Sequence, residues 1–170
     1  MNSRQWTLYI RICKCPIRAS WARFEVSWVW KLSKSQFRVR VGAIFGVGAA
    51  HVAGALAEFE RKLRSLVEEL DSLLPASREQ DADQLAAIVD LCAWVHSEWV
   101  RIHPFANGSG RAARLWANSI VMRYRLPPFL RLRPRPDSSY AEAGAKAMQG
   151  DWKPTAIVFR KLLDDFPGEA

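Results

Sequence analysis

Cysteine, histidine and long apolar runs are all scarce in this chain of 170 residues. The three cysteines, Cys13, Cys15 and Cys92, are an odd number and complete no disulfide framework. Cys13 and Cys15 stand too close together for a zinc-binding pair, and no second pair exists to join them. They read as reduced thiols, which goes with a cytoplasmic location. The three histidines, His51, His96 and His103, have no metal-type spacing, so no zinc site is expected. The longest apolar stretch, VGAIFGVGAAHVAGALA at 41–57, is interrupted by four glycines and a histidine. It does not provide the roughly 20 consecutive apolar residues that cross a bilayer. Residues 1–15 carry Arg4, Arg11 and Lys14 where a signal peptide has an uninterrupted apolar core. No membrane association is expected. Acidic residues, finally, are almost missing from the first forty positions. Nine Lys and Arg stand there against the single acid Glu25, and this segment holds the whole formal net charge of +8.

What is present suits one globular core: hydrophobic residues make up 49% of the chain. The charge step, together with Trp6, Trp21, Trp28 and Trp30, marks a boundary in the thirties. We divide the chain into a basic, aromatic-rich segment at 1–36 and a domain at 37–170. In the first segment TLYIRI and FEVSWVW alternate as strands do. Its basic, aromatic character suits an arm for nucleic acid or an acidic partner, but a strand-rich lead-in is the plainer reading, and nucleic acid is not an expected partner.

The densest chemistry lies at 103–114, HPFANGSGRAAR. Pro104 cannot continue a helix, so the helix ahead should end near His103. Glycines at 108 and 110 tolerate positive φ and close backbone approach, and successive N–H groups in such a turn form an anion-binding concavity. From Arg111 onward, RAARLWANSIVMRYR contains no breaker, so the turn should open a helix whose N-terminus attracts phosphate. Arg111 and Arg114, three apart, share a face of that helix and offer planar charged donors to phosphate oxygens. His103 is the one group in the stretch that titrates near neutrality.

This stretch resembles the Fic/Doc signature, HxFx[D/E]GN[G/K]RxxR, usually with Pro after the His. His103, Pro104, Phe105, Gly108, Gly110, Arg111 and Arg114 agree with it. The resemblance implies a mainly α fold, a helical bundle with a small β-hairpin flap, and transfer of AMP from ATP to a hydroxyl side chain of a target protein. It implies His103 as general base and Phe105 as the loop's core anchor. Gly108, Ser109 and Gly110 become the phosphate cradle, with Arg111 and Arg114 on the β- and γ-phosphates. Two positions depart from the signature. Asn107 replaces the acid that holds Mg²⁺, so Mg²⁺ should be weakly held. Ser109 replaces the asparagine, and its shorter hydroxyl could still donate to phosphate. Gly110 occupies the position where a kinase-like branch, which binds ATP reversed, has lysine; this favours nucleotidyl over phosphoryl transfer. The alternatives are a Doc-like protein phosphotransferase and a Fic-fold binding module without catalysis.

Around the motif, FRVRVGAIFG alternates and then turns. The resemblance puts the target-binding flap at about Val39 to Val47, with Val39, Arg40, Val41, Gly42, Ala43 and Ile44 pairing with an extended target segment. Helices are expected at Ala53–Leu74, at Asp83–Ile102 after an Asp81 cap, from Arg111 to about Arg125, at Ser138–Met148, and at Lys153–Leu163. In the second helix Leu85, Ile88, Cys92, Val95, Trp99 and Ile102 form one core-facing stripe. His96 reads as structural and His51 as a surface residue near the flap. Arg123, Arg125, Arg131, Arg133 and Arg135 read as a solvated basic face. Relatives that restrain themselves do so with a helix of pattern [S/T]xxxE[G/N]. Ser65–Glu69 and Ser138–Glu142 match five positions and fail at Leu70 and Ala143. A separate antitoxin-like inhibitor, or the weak site itself, is therefore the expected restraint.

Overall fold

The computed structural model describes residues 39–41, 43–74, 80–132 and 138–166. The segment 1–36, Gly42, Arg133 and Arg135 lie outside them. The described chain is mainly helical, as expected. A two-stranded antiparallel hairpin, β1 (Arg40–Val41) and β2 (Ile44–Phe45), pairs Arg40 with Phe45 and Val41 with Ile44. A short 3₁₀ turn at Ala49–His51 leads into α1 (Val52–Leu73). Four further helices follow: α2 (Ala82–Ile102), α3 (Ser109–Arg123), α4 (Ser138–Ala147) and α5 (Lys153–Asp164).

α1 is amphipathic. Phe59, Leu63, Val67 and Leu70 recur at helical spacing on its buried face, while Arg61–Glu58 and Arg64–Glu60 pair on its outer face. α2 begins with a capping box: the Asp81 side chain accepts from the Gln84 N–H, and the Gln84 side chain accepts from the Asp81 N–H. It packs against each of the other four helices. The expected single stripe is therefore too narrow. From Leu91 to Ser97 every residue is buried, whereas Leu85 is only half-buried. A helix surrounded by neighbours needs apolar residues on every side, and LCAWV supplies them. Cys92 is fully buried, and desolvation raises its thiol pKa far above the usual value.

α3 departs from expectation at its start and ends at Arg123, close to the expected Arg125. It starts at Ser109 rather than Arg111, because Gly108 at φ 96° already turns the chain into the helix. Gly110 is thus helical, and of these two glycines Gly108 alone uses the left-handed freedom of glycine. The far end does not wait for Pro127. Arg125 adopts φ 64°, Leu126 N–H reaches Val121 O at 3.0 Å, and Arg125 N–H reaches Met122 O at 3.2 Å. These two bonds are a Schellman motif with arginine at its left-handed position. Beyond it the chain is clasped back onto α3 by buried Asn118, whose Nδ2 donates to Leu130 O at 2.8 Å and whose Oδ1 accepts from Leu130 N–H at 3.1 Å. Among the described residues no helix is long and apolar enough to cross a membrane.

Candidate functional site

α2 delivers His103. The helix ends at Ile102, and His103 takes φ 52°, a left-handed conformation uncommon outside glycine. Its N–H still caps Trp99 O at 3.0 Å, and Pro104 then carries the chain away. The half-buried ring has Nδ1 at 3.3 Å from Val100 O. A carbonyl only accepts, so Nδ1 carries the proton and Nε2 keeps its lone pair. Desolvation lowers the pKa of His103, with the Val100 carbonyl opposing it weakly. The imidazole is therefore neutral at pH 7, the form a base requires.

The flap hairpin lies directly against this histidine. Gly46 N–H donates to Val39 O at 3.0 Å and closes the hairpin, and Val47 N–H reaches Ile102 O at 3.3 Å. A Cβ on Gly46 would stand 2.7 Å from His103 Cβ and 3.3 Å from Ile102 O. No other residue fits there. Gly46 was not singled out as a site residue from sequence, although its place between Gly42 and Gly48 hinted at a constrained turn. Val39 and Ile44 are half-buried, whereas Arg40 and Ala43 are exposed. The Arg40 guanidinium lies 6.0 Å from the centroid of the exposed Phe45 ring.

Past Pro104 the loop closes on itself. Ser109 Oγ accepts from Phe105 N–H at 3.1 Å and donates to Phe105 O at 2.9 Å, and Ser109 is 1% exposed. Its hydroxyl is engaged inward, on the loop's own main chain. Phe105 packs on Trp99, within a cluster with Phe59, Trp94 and Trp116 beneath the loop. The intrahelical ladder of α3 begins with Ala112 N–H on Gly108 O at 2.9 Å, so the N–H groups of Ser109, Gly110 and Arg111 stand ahead of it at the positive end of the helix.

Both arginines fold back toward this turn. A Cβ on Gly108 would meet Arg111 Nη2 at 3.2 Å, and one on Gly110 would meet Arg114 Nη1 at 3.7 Å. Arg111 is exposed, while Arg114 is 4% exposed. Arg114 donates through Nη1 to Tyr140 Oη at 3.0 Å and through Nη2 to Leu132 O at 3.0 Å. Tyr140, missed by the motif, is contributed by α4. Asn107 is exposed at the rim. It offers one neutral oxygen, and no cluster of three His, Cys, Asp or Glu exists among the described residues. That donor set suits a Mg²⁺ carried in on phosphates, not one held by the protein alone.

The remaining expected residues lie elsewhere. His96 is buried and structural, and His51 is exposed in the 3₁₀ turn. Arg123 is not free: it pairs with Asp71 of α1, to which Tyr124 Oη also donates at 3.0 Å. Arg125 and Arg131 are exposed. Glu69 and Glu142 are exposed, and neither pairs with Arg114 among the described residues.

A family model described as Fic/DOC family matches residues 32–121, which is 90 of the 170 residues and starts ahead of the boundary expected at 37. The chain is similar to a protein named protein adenylyltransferase Fic from Drosophila persimilis, 32% identical over 117 residues, 69% of this chain and 20% of that protein. A protein of the same name from Nematostella vectensis is 33% identical over 105 residues, 61% of this chain and 22% of the relative. The matched part thus spans about a fifth of these relatives' own length.

Proposed function

We propose, from the premise that this chain belongs to the Fic/DOC family, that it moves AMP from ATP onto a hydroxyl side chain of a target protein. One observation carries the reading. A neutral histidine with its Nδ1 proton already committed packs against the hairpin and precedes, in the same short loop, a glycine-capped helix mouth toward which two guanidinium groups fold. In the step we propose, an extended target segment pairs with the flap at 39–44 and presents its hydroxyl to His103 Nε2. The hydroxyl oxygen attacks the α-phosphorus, its proton passes to Nε2, and the bond to the β-phosphate oxygen breaks, so that pyrophosphate leaves. The N–H groups of Ser109, Gly110 and Arg111 face the phosphate charge, while Arg111 and Arg114 offset the charge on the leaving pyrophosphate. Where Mg²⁺ accompanies the nucleotide, Asn107 would be the side chain placed to hold it, and the ion would offset phosphate charge.

Incubation with labelled ATP, Mg²⁺ and lysate should label proteins, and His103→Ala should abolish the labelling. No labelling with any nucleotide or metal would sink the reading. A second reading, a binding module without catalysis, gains support from neutral Asn107 and from the inward hydroxyl of Ser109. Asn107→Asp with Ser109→Asn separates the two: a large gain in transfer marks a weakened enzyme, and no gain marks a binding module. Neither near-match glutamate pairs with Arg114 among the described residues, which supports restraint by a separate antitoxin-like partner; alanine at Glu69 and Glu142 should leave transfer unchanged.

A further inference from the structure

Among the described residues, Arg114 is a buried cation held by neutral groups alone. Its Nη1 and Nη2 are engaged by a phenol and a main-chain carbonyl, its Nε has no acceptor among the described residues, and no carboxylate there pairs with it. A carboxylate would orient the guanidinium equally well but would cancel its field. Phenol and carbonyl orient it and leave its charge available to an incoming anion.

The phenol is itself fixed. Arginine has no acceptor, so Tyr140 Oη accepts from Arg114, and the same oxygen lies 2.6 Å from Nε2 of the buried His96. Burial, and secondarily the charge of Arg114, keep it neutral, with a pKa lowered to about 3. His96 is wedged edge-on between the Tyr140 and Phe159 rings, at centroid distances of 5.3 and 5.2 Å. The Arg114 guanidinium also lies 5.6 Å from the Tyr140 centroid. The chain thus runs from the core of α2 through α4 to the helix mouth.

We propose that Tyr140, backed by His96, is a positioning residue that holds the Arg114 guanidinium toward the terminal phosphates of a nucleoside triphosphate. This rests on the nucleotidyl-transfer reading above. The pair should govern affinity for the polyphosphate tail and not for the nucleoside. Calorimetric titration with ATP and with AMP tests it. Tyr140→Phe keeps the ring and removes the acceptor; ATP affinity should fall about tenfold, with AMP affinity within about twofold of the parent. His96→Gln, whose Oε1 can stand where Nε2 does, should retain ATP affinity, while His96→Leu should lose it as Tyr140→Phe does. These two variants decide the matter if Tyr140→Phe fails to fold. Unchanged ATP affinity, or parallel loss for ATP and AMP, would overturn the proposal. A parent protein that binds neither nucleotide would remove the transfer reading instead. The ¹⁵N signals of the Arg114 Nη groups still test the tether in that event. Slow, resolved signals that broaden in Tyr140→Phe support it, and signals unchanged by the substitution refute it.

Discussion

α2 and α3 leave their helices by the same backbone device and for different ends. Each exit puts a non-glycine residue in the left-handed region, His103 at φ 52° and Arg125 at φ 64°. Such a residue costs roughly 1–2 kcal/mol relative to glycine. At Arg125 the side chain is exposed, and the main chain alone completes a Schellman turn. At His103 the side chain is half-buried, its Nδ1 faces Val100 O, and the flap presses on its Cβ through Gly46. The α3 exit would work with glycine. The α2 exit holds its strain around a titratable ring, as functional sites do. One backbone geometry therefore serves chain reversal in one place and the positioning of the proposed base in the other.

Substituting glycine at each exit gives the sharpest contrast. His103→Gly should reduce labelling of targets by about 10²–10⁴-fold while the melting temperature holds or rises; a large fall in stability would mean that His103 is chiefly a packing residue. Gly46→Ala comes next. Its Cβ cannot coexist with His103 Cβ at 2.7 Å, so the ring must shift, and a displacement of that kind costs up to about 10²-fold in rate. Gly54→Ala on α1, where a Cβ meets nothing within 4 Å, is the control and should leave labelling intact. The pH profile is a third handle. With the His103 pKa lowered by burial, the rate should stay level from pH 7 to below 6.5 and then fall about tenfold per unit. An acid limb above 6.5 would contradict a buried base. The same shift weakens the fold as pH drops below 6.5, because the unfolded chain takes up the proton first. The smallest effect belongs to Arg125→Gly, which should add about 1 kcal/mol in urea denaturation with labelling unchanged.

Much of this was legible in the chain. Asp81 marked the start of α2, Pro104 marked its end, and the glycine turn ahead of Arg111 marked that α3 would open there, because caps and breakers act across three or four residues. The family signature gathered His103, Arg111 and Arg114 for the same reason: all stand within one loop and the first turns of one helix. The early start of α3, the Schellman stop ahead of Pro127, and burial of α2 on every side were less legible. They depend on which left-handed residue the chain accepts and on how many neighbours a helix gathers.

The sequence by itself determined the helices, the anion-ready turn and the identity of the candidate base, since each follows from side chains close together in the chain. Only tertiary structure decided what those groups touch. Packing placed Gly46 against His103 and joined Arg114 to Tyr140 and Leu132, 26 and 18 residues away. It also linked Tyr140 to His96 across 44 residues. Contacts at such separations arise only where buried faces bring whole helices together, and periodicity along one helix does not state which neighbour it will meet.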